Sequence, residues 1–290
     1  MTAYSYYPGC SLHSTGREFD ASVTAVFRAL KIDLVELEDW NCCGASSAHS
    51  VDRDLSLALP ARNLALAQAA GRDVIMPCAA CYNRHRTAEH ELQSTAERRR
   101  RIEAAADFEY RPSVHVRALI EVLYDTIGPQ ALRELVVRDL GGLPAVAYYG
   151  CLLVRPPQVT GFDHAEHPTK MGELLGALGA EARPWGDATE CCGGGLTLTQ
   201  PKVARRLVTR LAERAREAGA QAIVTSCPLC QVNLEMRQSG RAERLPIFYI
   251  SELVGLALGL EESKAWWPMH LIDPRPLLRS AGLMAPQAAA

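Results

Sequence analysis

An α/β fold built twice over is predicted by three observations. Ten cysteines divide into two matching sets of five, the same order of elements recurs around each set, and short β-prone runs alternate with helical periodicity. The first set is Cys10, the pair Cys42-Cys43 followed by Gly44, and Cys78-Ala79-Ala80-Cys81. The second is Cys151, the pair Cys191-Cys192 followed by Gly193, and Cys227-Pro228-Leu229-Cys230. The pair and the CxxC are separated by 34 residues in both sets (44–77 and 193–226). The expected architecture is two pseudo-twofold-related halves from an internal duplication, each a small parallel sheet with crossover helices. Residues 1–140 would form the first half with its linker helices, and 141–290 the second half with a C-terminal tail.

Each element has a local reason. Ala3–Tyr7 and Ala145–Tyr149 are short, apolar or aromatic, and run into Pro8-Gly9 and Gly150, which end a strand and turn the chain. Phe19, Val23, Val26, Phe27 and Leu30 recur at helical spacing, as do Met171, Leu174, Leu175 and Leu178. Short strands are expected at Asp33–Leu37 and Ala180–Pro184, each before a Cys-Cys-Gly turn. Second helices are predicted over Arg53–Ala70, stopped by Gly71, and over Pro201–Ala218, stopped by Gly219, with Pro201 suited to a first helical turn. Asp73–Met76 and Ala222–Thr225 read as buried strands that run straight into CxxC, which opens another helix. Strand, helix, strand, helix, strand is the order of parallel strands with crossovers. It puts cysteines at strand C-termini and helix N-termini, where such sheets bind their ligands.

The joining segment 107–140 is expected to hold a helix over Val114–Ile127, with His115 on its apolar face and therefore in the core. Arg98–Arg101 is placed late in the helix that opens at Cys81, as a solvated face. Trp266 and Trp267 either fold back onto the domain or meet a partner.

Composition narrows the function. The 290 residues carry a formal net charge of −2, which offers no basic field for nucleic acid and no polybasic anchor. The first residues do not read as a secretion signal, and no apolar run approaches the roughly 20 residues of a membrane span. A cytoplasmic protein with reduced thiols is the expectation. Of 31 basic residues 27 are Arg, which with abundant Ala suggests a GC-rich bacterial source.

Three chemistries compete for the cysteines. Structural disulfides suit small secreted scaffolds, and this chain is long and has no export signal. Zinc could be closed by the four thiolates of a Cys-Cys…CxxC group, leaving Cys10 and Cys151 without a role, and zinc in one half stays open. Iron–sulfur clusters take thiolates as their normal ligands. Gly44 and Gly193 would let the backbone approach inorganic sulfide and donate N–H bonds to it, and with Gly9 and Gly150 are the glycines expected to line the cofactor.

The stretches Tyr7-Pro8-Gly9-Cys10-Ser11-Leu12, Trp40-Asn41-Cys42-Cys43-Gly44-Ala45 and Pro77-Cys78-Ala79-Ala80-Cys81-Tyr82-Asn83 resemble the B subunit of heterodisulfide reductase. So do Tyr149-Gly150-Cys151 with the residues to Pro157, Glu190-Cys191-Cys192-Gly193 and Cys227-Pro228-Leu229-Cys230. The resemblance covers nearly the whole chain. It implies two noncubane [4Fe-4S] clusters, one held by Cys10, Cys42, Cys43, Cys78 and Cys81, the other by Cys151, Cys191, Cys192, Cys227 and Cys230. It implies that the clusters face each other and split a disulfide between them. In sulfur-oxidising bacteria a similar complex is thought to oxidise carrier-bound sulfur, and the Arg and Ala bias leans that way. With no GxGxxG signature and no spare cysteine, the chain is expected to need a ferredoxin-like [4Fe-4S] subunit and a flavoprotein as partners.

Two other functions fit the same motifs. One is an electron-transfer or docking subunit of a succinate or fumarate:quinone oxidoreductase, and the other is a zinc-stabilised interaction module. Outside the cysteines, His13 and His49 are candidates to deliver protons to leaving thiolates, against the plainer reading of hydrogen-bonded structural histidines. Arg155 could pair with an anionic substrate group or sit in a salt bridge. Glu190 is not expected to be a ligand, because thiolates already suffice.

Overall fold

The computed structural model describes residues 2–45, 47–238 and 244–285. Its core is two four-stranded, all-parallel sheets. The first runs β2-β1-β3-β4 and the second β6-β5-β7-β8. Strands β1 (Ala3–Tyr6), β2 (Asp33–Glu36), β3 (Val74–Met76) and β4 (Val116–Ala118) are matched by β5 (Pro144–Tyr148), β6 (Glu181–Ala182), β7 (Ala222–Thr225) and β8 (Ile247–Tyr249). The inner strands β3 and β7 are buried at every residue, as strands covered on both faces must be. The edge strand β2 is mostly exposed and mixes Asp33 and Glu36 with Leu34 and Val35.

The helices follow the sequence pattern closely. The crossovers are α1 (Arg17–Ala29), α2 (Arg53–Ala70), α3 (Ala79–Ser94), α4 (Ala96–Ala106), α5 (Lys170–Ala177), α6 (Pro201–Glu217) and α7 (Pro228–Arg237), and α8 (Ile250–Ala257) follows the last strand. Helix α2 starts where the Asp52 carboxylate accepts from the Leu55 N–H at 2.7 Å, and it stops at Gly71 in the left-handed region. The expected strands shorten to Ala3–Tyr6 and Asp33–Glu36, the one expected at Ala145–Tyr149 shifts by one residue to Pro144–Tyr148, and Ala180–Pro184 keeps only Glu181–Ala182.

Three expectations are corrected. The helix expected from Val114 begins only at Leu119, because Val116–Ala118 pairs with β3 as a fourth strand. His115 is therefore not core. It is exposed at the start of β4, with its N–H donated to Asp73 at 2.8 Å and its ring 3.6 Å from Glu89. The arginine run does not lie in the helix that follows Cys81. The chain breaks at Thr95, whose hydroxyl accepts from the Arg98 N–H, and a new helix starts there. Arg98, Arg100 and Arg101 are solvated, as expected of that face.

The last strand of each sheet turns into a helix by the same device. Glu121 accepts from the Ala118 N–H at 3.2 Å, and Glu252 accepts from the Tyr249 N–H at 2.8 Å, each reaching back over the first turn.

Contacts between the halves come in mirrored pairs. Helix α3 packs on the turn Cys151–Val154, and α7 packs on the turn Gly9–Leu12. Helix α8 packs on α1, and the wound segment Val122–Ile127 packs on α5. At one of these contacts Phe19 stacks on Tyr249 with centroids 4.0 Å apart, and Ser22 meets Ser251 at 2.7 Å. At another, Lys170 reaches Asp125 at 2.7 Å. Reciprocal contacts between duplicated elements are the signature of a pseudo-twofold relation.

The tail folds back on the domain. Trp266 and Trp267 are buried against α1 and α8, and His270 lies behind them. The His270 ring is fully enclosed between Glu235 (2.9 Å) and Glu252 (2.8 Å). Burial disfavours its charge, but Glu252 and Glu235 overcome that and raise its pKa to about 11. Glu18, from the other half, is pushed up to about 7 by burial, with Glu252 adding to the rise.

Candidate metal centre

The order β2-β1-β3-β4 reverses direction between β1 and β3, the place where open parallel sheets bind ligands at their C-terminal ends. Cys10 follows β1, Cys78 follows β3, and Cys42-Cys43 lies in the loop after β2. The second sheet repeats this with Cys151, Cys227 and Cys191-Cys192. Each cysteine set is thus brought together from loops more than thirty residues apart.

The sulfur geometry is nearly the same in both halves. Cys43 Sγ lies 3.4 Å from Cys81 Sγ, and Cys192 Sγ lies 3.5 Å from Cys230 Sγ. The Gly44 N–H points at Cys42 Sγ (3.5 Å) and the Gly193 N–H at Cys191 Sγ (3.3 Å). All ten cysteines are free, with Cys43, Cys78, Cys81, Cys192, Cys227 and Cys230 buried and Cys10, Cys42 and Cys191 exposed. Between the halves, Ser226 Oγ donates to the Pro77 carbonyl at 3.4 Å, so the two CxxC turns meet, and there Cys227 pushes the Cys78 thiol up while Cys78 helps to hold the Cys227 thiol down.

The expected glycines are required by space as well as by backbone. Gly9 and Gly150 have φ of +70° and +67°, and a Cβ on either would stand 3.2 Å from a thiol, Cys81 Sγ or Cys230 Sγ. Gly44 and Gly193 also have positive φ, and a Cβ there would run into Ala48 (2.6 Å) or Ala204 (2.9 Å).

A cavity of about 60 Å³ is lined by Cys151, Cys191, Cys192, Cys227 and Cys230, and is walled from the other half by Ala79 and Ala80. By comparison, roughly 10–15 Å³ admits one water. Five converging thiols around such a space form a soft donor set for a group larger than one ion. Among the described residues, no three His, Cys, Asp or Glu side chains are set to hold a single metal ion. The thiols share their ionisation unequally. Hydrogen bonds from Cys42 and Cys81 pull the Cys43 thiol down to about 3, and one from Cys151 pulls Cys191 down to about 6. The thiols of Cys42 and Cys151, hydrogen-bonded to those anions, are pushed well up.

Supporting residues lie behind the cysteines, and the sequence reading missed them. Tyr7 donates to the Asn41 carbonyl at 2.9 Å, and Tyr148 donates to the Glu190 carbonyl at 2.7 Å, each gripping the residue before its Cys-Cys-Gly turn. Both tyrosines stand three residues before the lone cysteine of their set, a repeat visible in the sequence. In the first half His85 is fully buried, with Nδ1 2.8 Å from the Cys81 carbonyl and Nε2 3.1 Å from the Asn63 amide nitrogen. The amide donates, so Nε2 accepts and Nδ1 carries the proton. The ring is neutral, and burial lowers its pKa. In the second half Asn233 donates to the Cys192 carbonyl at 2.6 Å.

The candidate histidines and Arg155 stand at the rim. His13 lies 3.4 Å from Glu36 and edge-on to Trp40, half exposed. His49 meets Arg84 at 3.2 Å. Arg155 is in an ion pair with Glu166 and also donates to Thr189, so the salt-bridge alternative holds. Glu190 is exposed.

The cysteine-rich domain named CCG matches residues 4–84 and 145–235, one match per half. The 8-methylmenaquinol:fumarate reductase membrane anchor subunit of Wolinella succinogenes is 32% identical over 94% of this chain and 98% of that protein. The B subunit of the ferredoxin/F(420)H(2)-dependent CoB-CoM heterodisulfide reductase of Methanosarcina acetivorans is 30% identical over 89% of this chain and 90% of that protein. An Archaeoglobus profundus protein described as like the B subunit of heterodisulfide reductase is 29% identical over 91% of this chain and 93% of that protein. A crystal structure of a hypothetical protein from Helicobacter pylori superposes with a TM-score of 0.72 at 11% identity. That match covers 94% of this chain, which spans about half of the other protein, and it speaks to fold alone.

Proposed function

The chain belongs to the CCG cysteine-rich family that includes the B subunits of heterodisulfide reductases, and from that premise we infer that it is the iron–sulfur subunit of an oxidoreductase complex acting on sulfur. Cys10, Cys42, Cys43, Cys78 and Cys81 would hold one noncubane [4Fe-4S] cluster, and Cys151, Cys191, Cys192, Cys227 and Cys230 the other. When bound, two such clusters supply one electron each, which matches the two-electron couple between a disulfide and two thiols.

The chain's own residues do the rest. Tyr7 and Tyr148 fix the Cys-Cys-Gly turns, Gly9 and Gly150 leave room beside the buried Cys81 and Cys230 thiols, and neutral His85 and Asn63 hold the first set from behind. Burial of six thiols keeps water from the inner face, while exposed Cys10, Cys42 and Cys191 leave the outer face open to a thiol, a disulfide or a sulfur carrier. The observation that carries this reading is the meeting of the two CxxC turns, where Ser226 bonds the Pro77 carbonyl, which sets the two thiol sets side by side rather than apart. Neither His13 nor His49 is assigned a step.

Partners with ordinary [4Fe-4S] clusters and a flavin would carry the electrons onward. No described helix is long and apolar enough to cross a membrane. The reading places the chain in the cytoplasm, where its thiols stay reduced.

Anaerobic reconstitution, with iron and sulfide counted per chain and EPR recorded with and without a thiol or disulfide, tests the proposal. About eight irons and an EPR signal altered by the thiol support it. Four irons or fewer, or one or two zincs in their place, overturn the paired clusters. A second reading has its own support, because the Wolinella relative is a subunit of a fumarate reductase. As an electron-transfer or docking subunit, the chain would take up the same iron but show an EPR signal indifferent to disulfides.

A further inference from the structure

The two halves differ most on the outer face of the helix that follows the Cys-Cys-Gly turn. In the first half, that helix (α2) is covered by α4, with Ile102 buried in the contact and Arg101 bound to Asp54 at 2.6 Å. In the second half the nine residues 238–246 join α7 to β8, against the twenty-one of 95–115 in the first. Among the described residues, α6 is packed by α7 and the turn Gly194–Leu196, and its outer face is exposed.

That face is cationic over its first turns, and the carboxylates of Glu213 and Glu217 enter only toward its end. Lys202, Arg206, Arg210 and Arg214 succeed one another at i, i+4, and Arg205 lies beside them, all exposed. Arg210 and Arg214 reach Asp187 (3.3 Å) and Glu217 (2.6 Å). Lys202, Arg205 and Arg206 meet no carboxylate among the described residues. Like charges at i, i+4 cost a helix stability, and an ordinary solvated face alternates its signs. The chain as a whole has a net charge of −2, so this stripe is a local concentration and not a general excess. Just before the helix, Leu198 is 93% exposed, an apolar side chain at the edge of a charged surface.

Through its other face the helix packs on Gly193, the residue that follows the Cys191-Cys192 pair. Ala204 and Leu207 stand where a Cβ on Gly193 would be 2.9 and 3.1 Å away. A partner on the outer face is thus separated from Cys191 and Cys192 by about one helix diameter, roughly 10–12 Å.

We propose that the outer face of α6, with Leu198, is the docking surface for an acidic iron–sulfur electron carrier, which exchanges electrons with the second thiol site rather than the first. Charge complementarity selects the partner, and the outer face of α6, exposed among the described residues, selects the side. The electron-exchange part rests on the iron–sulfur reading above; the binding part does not.

The test uses the reconstituted full chain and, as probe, an acidic bacterial two-cluster [4Fe-4S] ferredoxin. Binding is followed by calorimetry from about 50 to about 200 mM salt. The triple reversal Lys202→Glu, Arg205→Glu, Arg206→Glu is compared with Arg98→Glu, Arg100→Glu, Arg101→Glu on α4. Melting curves and iron counts for each variant check folding and loading. The expected result is salt-sensitive binding that the α6 reversal weakens by at least roughly tenfold and the α4 reversal by less than about twofold. Equal losses in the two variants, no salt-sensitive binding by the unmodified chain, or an equal α6 dependence for anionic vesicles or duplex DNA overturns the proposal. Poor iron uptake with intact α6-dependent binding would count against the iron–sulfur reading and leave the docking surface standing.

Discussion

The first and second halves keep the same front and have different backs. At the thiols the agreement is close: Sγ–Sγ contacts of 3.4 and 3.5 Å, glycines at equivalent positive φ, and a tyrosine gripping the same carbonyl. Behind the thiols the agreement ends. Four residues after its last cysteine, the first half has buried His85 bonded to Asn63, while the second has buried Leu234. Helix α2 is covered on its outer face by α4, while among the described residues the outer face of α6 is exposed. The difference teaches that the duplicated geometry is tied to the group the cysteines hold, and that what surrounds it was free to diverge toward unlike neighbours.

The sharpest way to break the comparison is to remove one thiol from each set. Cys81→Ser and Cys230→Ser should each lose about four of eight irons if the sets load independently. Iron and sulfide analysis reads this directly, and a loss of all iron from either variant would show that the sets load as one unit.

The next largest effect concerns a buried ion group that the first half lacks. His270→Ala leaves Glu235 and Glu252 buried without their cation and should cost roughly 3–5 kcal/mol by urea unfolding of the apo chain. The same group sets an alkaline limit. Its folded pKa, about 11, lies above the unfolded value near 6.5, so its contribution is fully present below about pH 6.5 and is lost as pH rises through 11. Unfolding curves from pH 6 to pH 11 should fall more steeply for the unmodified chain than for His270→Ala. Parallel curves would mean that the ring is not charged.

Gly9→Ala and Gly150→Ala test the front. Each puts a Cβ 3.2 Å from a thiol at a positive φ, so each should cost about 1–3 kcal/mol, and by similar amounts. A harmless alanine at one of them would show that this half yields where its twin does not. His85→Leu, which copies the second half into the first, should cost about 1–3 kcal/mol by leaving one buried N–H of the Asn63 amide without an acceptor, the other keeping the Asn41 carbonyl.

The smallest change is expected at the rim. His13→Gln and His49→Gln should lower disulfide turnover less than about tenfold, below the 10²–10⁴ of a general acid, because the rings face Glu36 and Arg84. A hundredfold loss with a shifted pH profile would restore them as proton donors.

Much of the fold was legible because its signals are local. Helix α2 falls on Arg53–Ala70 as read, with Gly71 at its end, and β7 falls on Ala222–Thr225. The fourth strands were not read. Val116–Ala118 is three residues long and gains its reason only from β3 alongside it. The signal that could have marked both was Glu121 and Glu252, each three positions into a helix after an apolar run. His115 was misjudged for the same cause: on a helix it would face inward, and at the head of a strand it faces water. The rear support by Asn63 and His85 depends on residues twenty-two apart meeting across a turn, which no periodicity reveals.

By itself the amino-acid order determined that there are two thiol quintets, which turns carry them, and that parallel strands alternate with helices. Those properties follow from residue type and spacing along the chain, where glycine, proline and apolar period act over a few residues. Only the tertiary structure decided that the two CxxC turns meet at Ser226 and Pro77, that His270 is caged by two carboxylates, and that, among the described residues, the outer face of α6 is exposed while α2 is covered by α4. These are matters of which surfaces come together after the chain has closed on itself, and burial and charge are defined only once that has happened.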